Sequence, residues 1–159
     1  MLKILTERSY QNLVDVGCGS GVLALAGLQL GVERAVALDI DPQALKLSRI
    51  NGHLNGLESR LMLVKGSAEA VAGSFDLILA NLPMQVLTEK LPELCRLSRP
   101  GSGLVISGFQ DLDKPLLQEE LRRQGLKEKT WLSADLVFFG DSPTGSFTWM
   151  AVHASREHS

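Results

Sequence analysis

The sequence predicts an α/β domain built on a doubly wound sheet, mostly parallel, with an antiparallel strand near the C-terminus. Three observations lead there. Short β-rich apolar runs alternate with longer segments of helical period, the pattern of a parallel sheet covered by helices on both faces. The first run passes directly into a glycine loop, Asp15-Val16-Gly17-Cys18-Gly19-Ser20-Gly21, and then into an apolar helix. The second run stops at Asp41-Pro42, a helix N-cap followed by proline at the first helical position.

In chain order, Asn12 to Val16 is the first strand, and the nearly all-apolar Val22 to Leu30 is a helix ending at Gly31. Arg34 to Ile40 is the second strand. The helix after Pro42 places Leu47, Ile50 and Leu54 on one face and ends near Asn55-Gly56. Leu61 to Val64 and Phe75 to Ala80 are the third and fourth strands, with room for one or two helical turns between them. Met84 to Leu97 is a helix, Pro100-Gly101 a turn, Leu104 to Ser107 the fifth strand, and Asp113 to Gln124 an amphipathic helix closed by Gly125. Leu126 to Phe139 and Ser146 to Ala154 read as two strands forming an antiparallel pair, joined by the turn-rich Gly140 to Gly145.

Length and composition set bounds on function. At 159 residues the chain is the size of one domain, read as a single unit over 1–159 with residues 1–11 as a short N-terminal extension. Hydrophobic residues make up 45% and charged residues 21%, the balance of a globular domain and too apolar for a disordered chain. A net charge of −2 gives no strong nucleic-acid signal. Cys18 and Cys95 supply no disulfide framework and fit a reducing compartment. The longest uncharged stretch, Val16 to Val32, is too short and too glycine-broken to span a bilayer, and the N-terminus has no secretory pattern. A cytoplasmic location without membrane contact is therefore expected.

The glycine spacing narrows the ligand. A dinucleotide fingerprint needs glycine three residues after Gly19, where Val22 stands, and a Walker loop needs a lysine, absent between Lys3 and Lys46. Asp15, two residues before the first glycine, would repel a pyrophosphate and attract a cation. S-adenosylmethionine has an ammonium and a sulfonium and no phosphate, so its charge suits such a loop; a tight turn without a ligand is the other reading. Gly17, Gly19 and Gly21 let the backbone approach such a ligand closely. Asp39 ends the second strand, where a carboxylate can accept hydrogen bonds from both ribose hydroxyls. Ile40 offers an apolar surface to adenine. Ser67 and Ala68 lie in the loop expected to flank adenine's amino edge, where Ser67 or Glu69 would hydrogen-bond, the alternative being a solvated loop.

Asp15 to Ala26, Ala37 to Ala44, Asn55-Gly56, Ala80-Asn81-Leu82 and Arg99-Pro100-Gly101, taken together, resemble the PrmA family of class I S-adenosylmethionine-dependent methyltransferases. The resemblance is strong over residues 12–110 and looser around Phe147 to Ala151. It implies a Rossmann-like methyltransferase sheet, S-adenosylmethionine as cofactor, methylation of a ribosomal-protein amine, and contact roles for Gly17, Asp39 and Asn81. The family also carries an N-terminal substrate-recognition domain and a Gly-Thr-Gly-x-His-x-Thr-Thr segment before the first strand. Residues 1–11 contain neither, so the family's threonine contact has no counterpart here. That leaves two readings, a fragment or substrate recognition by other means.

Asn81 is the candidate catalytic residue. It follows the fourth strand, beside the first in the usual order of this fold, and so faces the donor methyl. Asn81-Leu82-Pro83-Met84 partly resembles the Asn-Pro-Pro-Tyr motif that holds planar NH2 groups, but lacks its stacking aromatic, which disfavours a flipped base. An N-methyltransferase acting on a protein amine or a related small molecule is the leading expectation. The alternatives are an RNA or small-molecule O-methyltransferase, and a cofactor-binding module without its substrate domain. Cys18 is read as loop filler and Asp41 as an N-cap. His53, His153 and His158 show no ligand spacing, so no metal is expected. Lys114, Arg122, Arg123, Lys127 and Lys129 are read as a solvated face, and Trp131, Phe138, Phe139 and Trp149 as packing at the end of the sheet.

Overall fold

Strand β1 (Asn12–Val16) is the axis of the molecule, because the chain builds outward from it in both directions. In this computed structural model, which describes residues 9–135 and 148–156, β1 pairs in parallel with β2 (Arg34–Asp39) and β4 (Phe75–Asn81). Beyond them β2 pairs with β3 (Leu61–Lys65) and β4 with β5 (Ser98–Gln110), again in parallel. The sheet order is β3-β2-β1-β4-β5-β7-β6. Between β1 and β4 the winding changes direction, and open α/β sheets bind ligands at the carboxyl ends of the strands at such a point.

Helices α1 (Val22–Gln29) and α2 (Pro42–Leu54) cover one face, and α3 (Met84–Arg96) and α4 (Lys114–Arg123) the other. β1 feeds both cores by alternation: Leu13 packs with Leu25 and Leu28 of α1, while Val14 and Val16 pack in the cluster holding Leu87, Leu91 and Leu94 of α3. Asp15 therefore points to the α1 side. At the outer end of α1 the Arg60 guanidinium donates to the carbonyls of Leu28 (2.5 Å) and Val32 (2.8 Å), tying the helix to the turn before β3. Arg60→Met should lower stability by about 1–2 kcal/mol, visible as a lower denaturant midpoint at unchanged slope.

Two expectations change. The helix face with Leu47, Ile50 and Leu54 is turned to solvent, their exposures being 46%, 47% and 74%. α2 docks instead through its small residues Ser48 and Gly52, both buried. The fifth strand is longer than Leu104 to Ser107 because the Pro100-Gly101 turn chemistry lies inside it as a bulge. Pairing jumps from Phe75 with Ser98 to Leu77 with Gly103, and Gly101 takes φ +81°. The buried Ser102 hydroxyl stitches the bulge, accepting from the Arg99 amide and donating to the Phe75 carbonyl.

At the C-terminal end, β6 (Leu126–Asp135) runs parallel to the rest of the sheet, and β7 (Thr148–Arg156) inserts between β5 and β6, antiparallel to both. The expected turn Gly140 to Gly145, together with Phe138, Phe139, Ser146 and Phe147, lies outside the described residues. No described helix is long and apolar enough to cross a membrane.

Candidate active site

The glycine loop is held from outside by polar groups. The amides of Gly17 and Cys18 both donate to the Leu38 carbonyl at 2.9 Å, which turns the chain sharply out of β1. Asp39 accepts from the Gly19 amide through Oδ2 (2.9 Å) and from the Asp41 amide through Oδ1 (2.9 Å). From α2, the Ser48 hydroxyl donates to the Gly19 carbonyl (2.8 Å) and the Asn51 amide to the Ser20 carbonyl (2.9 Å). Gly17 has φ +72°, and a Cβ there would collide with the Leu82 side chain. Gly21, φ +77°, is the N-cap of α1 and lies against Ser48. Ser48 and Asn51 were not foreseen from the sequence; their signal was two polar side chains within one turn of a helix otherwise read by its leucines.

A cleft of about 430 Å³ opens beside this loop, lined by Gly17, Asp39, Ile40, Ser67, Leu82 and Lys90 among others. Ile40 is 72% exposed at its rim, an apolar side chain left for a flat ligand to cover. Of the other expected cofactor residues, Gly19 and Gly21 shape the loop, and Ala68 buries its methyl in the core, so it can offer the cleft only backbone. Glu69 is engaged by Lys90 (2.8 Å), whose hydrogen bond, followed by that of Ser67, holds its carboxyl down at about 2. Arg96 donates to the carbonyls of Ala68 and Val71, both at 3.0 Å, so α3 fastens the short turn after β3 at both ends.

Asp15 stands behind the loop rather than among the residues lining the cleft. It is 1% exposed, and its Oδ2 accepts from the Ala24 amide in the first turn of α1 (3.1 Å). Oδ1 is buried without a hydrogen-bond partner among the described residues. Burial pushes the carboxyl up to about 7; the Ala24 hydrogen bond opposes the shift, and the Asp39 carboxylate adds to it.

A second pocket, of about 760 Å³, lies on the other side of Leu82 and is lined by uncharged residues, among them Asn81, Ser107, Leu132, Trp149 and Met150. Leu82 is common to both cavities. Asn81 ends β4, exposed, with its Oδ1 accepting from the Ser107 hydroxyl at 3.1 Å. Trp149, expected to pack the sheet end, is a wall of this pocket and 45% exposed. Trp131 does pack, edge-on against Phe109 at 6.2 Å with the Lys114 ammonium over its ring. Arg122 and Arg123 pair with Glu119 and Glu120, as a solvated helix face would.

Sequence comparison extends the resemblance beyond the motifs: the family model "Ribosomal protein L11 methyltransferase (PrmA)" matches residues 2–135. The chain belongs to the PrmA family. Among curated PrmA relatives, the ribosomal protein L11 methyltransferase of Gloeobacter violaceus is 37% identical over 135 residues, which is 81% of this chain and 43% of that protein. The one from Azotobacter vinelandii is 43% identical over 103 residues, 65% of this chain and 35% of that protein. The chain thus spans less than half the length of these PrmA relatives. The crystal structure of ribosomal protein L11 methylase from Lactobacillus delbrueckii subsp. bulgaricus superposes with a TM-score of 0.82 at 26% identity, covering 99% of this chain and 77% of that one.

Proposed function

We propose that this chain binds S-adenosylmethionine in the cleft beside the glycine loop and transfers its methyl group to an amine presented in the uncharged pocket. The carrying observation is that the two cavities meet at Leu82, with Asn81 beside the junction. When bound, the cofactor supplies a methyl on a sulfonium, open to direct displacement. Family membership favours a ribosomal-protein amine, L11 being the substrate that the relatives' names give.

The residues fit this cofactor. Asp39 keeps unused lone pairs on both oxygens for the ribose hydroxyls, since each oxygen accepts only one backbone N–H. Ile40 would lie under the adenine, and Ser67 would reach its edge. Gly17 would bring bare backbone to the amino-acid part, and Asp15, once ionised, would support the positive end from behind the loop. The transfer needs the nucleophile aligned, close and dry. A free lysine has a pKa near ~10.4, so it must shed its proton before attack, and an uncharged pocket favours the neutral form.

Calorimetric titration tests the cofactor: S-adenosylmethionine and S-adenosylhomocysteine are expected to bind, and NAD no better than about millimolar. Tight dinucleotide binding would overturn the reading. Asp39→Ala should weaken cofactor binding by about 1.5–3 kcal/mol, because the charged acceptor and the Gly19 tie go together. Transfer of labelled methyl to L11 tests the acceptor; binding without transfer to L11, other ribosomal proteins or small amines would make the chain a cofactor-binding module.

A further inference from the structure

We propose that Ser107 is a positioning residue of the transfer site, its hydroxyl holding the Asn81 amide in the one orientation that can receive an amine. The inference rests on the reading of Asn81 as the group that holds the acceptor. Asn81 and Ser107 are register partners on the parallel neighbours β4 and β5, so their side chains leave the sheet on the same face at its carboxyl end. Both line the uncharged pocket.

Three contacts fix the pair. The Ser107 hydroxyl donates to Asn81 Oδ1 at 3.1 Å. The Ser107 carbonyl accepts from the Leu82 amide at 3.0 Å, which sets the backbone just after Asn81. Gly108, φ +94°, lets β5 turn away; a Cβ there would stand 2.7 Å from Asn81 Oδ1 and 2.6 Å from the Leu82 carbonyl oxygen. The amide therefore lies against a stretch of β5 that only glycine leaves open.

The chemical consequence follows from what each end of an amide can do. A terminal amide torsion has two broad minima, so an unheld asparagine presents oxygen or NH2 to the same point. A neutral amine attacks with its lone pair aimed at the methyl, which requires its N–H groups to be held by acceptors. Oδ1 can do this; an NH2 in its place would donate into the lone pair and block it. In the structure the Ser107 hydroxyl donates to Oδ1, the end of the amide that can receive the acceptor's N–H, and so holds the useful orientation. A second lone pair on that oxygen remains for the acceptor's N–H.

The test is a double-mutant cycle on the full chain, reading labelled methyl transfer to L11 and cofactor Kd. S107A should lower kcat about 10-fold with Kd changed less than about two-fold, and S107T should restore it. In the N81A background, S107A should cost nothing more. An equal loss in both backgrounds would overturn the proposal, whereas wild-type turnover by N81A would overturn the Asn81 reading itself. A readout free of turnover is the Asn81 side-chain NH2 pair in 15N-correlated NMR spectra, assigned by its disappearance in N81A. That pair should shift in S107A and return in S107T; if S107A leaves it in place, the hydroxyl does not orient the amide and the proposal fails.

Discussion

Asn81→Ala is expected to slow methyl transfer by about 30- to 1000-fold, or about 2–4 kcal/mol, while cofactor affinity stays within about two-fold. The selectivity follows from location. Asn81 lines the uncharged pocket and not the cleft beside the glycine loop, and that loop is held by Leu38, Asp39, Ser48 and Asn51 without it. Its removal should also spare the fold, since the side chain is exposed and is held by the hydrogen bond from Ser107. Single-turnover transfer with cofactor pre-bound separates the two effects. A wild-type rate would remove Asn81 from the reaction, and a rate loss matched by lost cofactor affinity would move it to the binding cleft.

Asp15→Asn should reverse its effect on stability with pH. The carboxyl sits near 7 in the folded chain against an ordinary value of 3.8. Below the ordinary value both states hold the proton and the group is neutral to folding. As pH climbs from about 4 to about 7, the unfolded chain releases the proton and the folded chain keeps it, so stability falls; above about 7 the loss levels off. A shift of this size corresponds to a loss on the order of 4 kcal/mol. Asparagine removes that slope. Its oxygen can still accept from Ala24, but its NH2 enters a site without an acceptor for it, at a cost of about 1–3 kcal/mol. The variant should therefore be less stable than the wild type at pH 4 and more stable at pH 8. Denaturant titrations across that range should show the two curves crossing, and parallel curves would mean that Asp15 ionises normally. A cation beside Asp15 favours its charged form, so cofactor affinity should rise as pH passes through 7 in the wild type and not in the variant.

Much of this architecture was legible because each signal was local. Asn12 to Val16 followed by three glycines, and Asp41-Pro42 after the second apolar run, mark strand ends and helix starts through backbone rules that tertiary contacts seldom overturn. The place of the loop and of Asp39 at the carboxyl ends of β1 and β2 was equally local, since both are read off spacing. The orientation of α2 was not. Its leucines have helical period, yet the helix docks through Ser48 against Gly21 and through Gly52 against Leu61, because this close approach leaves no room for larger side chains. Hydropathy ranks leucine above serine and cannot register a distance. Asp15 shows the same gap for charge: the spacing placed a carboxylate beside the glycines, but its burial beneath α1 depends on which way one strand residue points once both sheet faces are covered. The uncharged pocket was hidden for another reason. Its walls are Asn81, Ser107, Leu132 and Trp149, brought together from four strands and sharing no sequence pattern.

The insertion of β7 between β5 and β6 also imposes an order of assembly. Among the described residues β6 has no strand neighbour but β7, so it cannot join the sheet until β7 has been made. The five strands that carry the glycine loop and its cleft precede both in the chain, and each of β2 to β5 pairs with a strand made before it. During vectorial synthesis, the half with the glycine loop can therefore take shape while β7 is still emerging, and the pocket walled by Leu132 and Trp149 closes only afterwards.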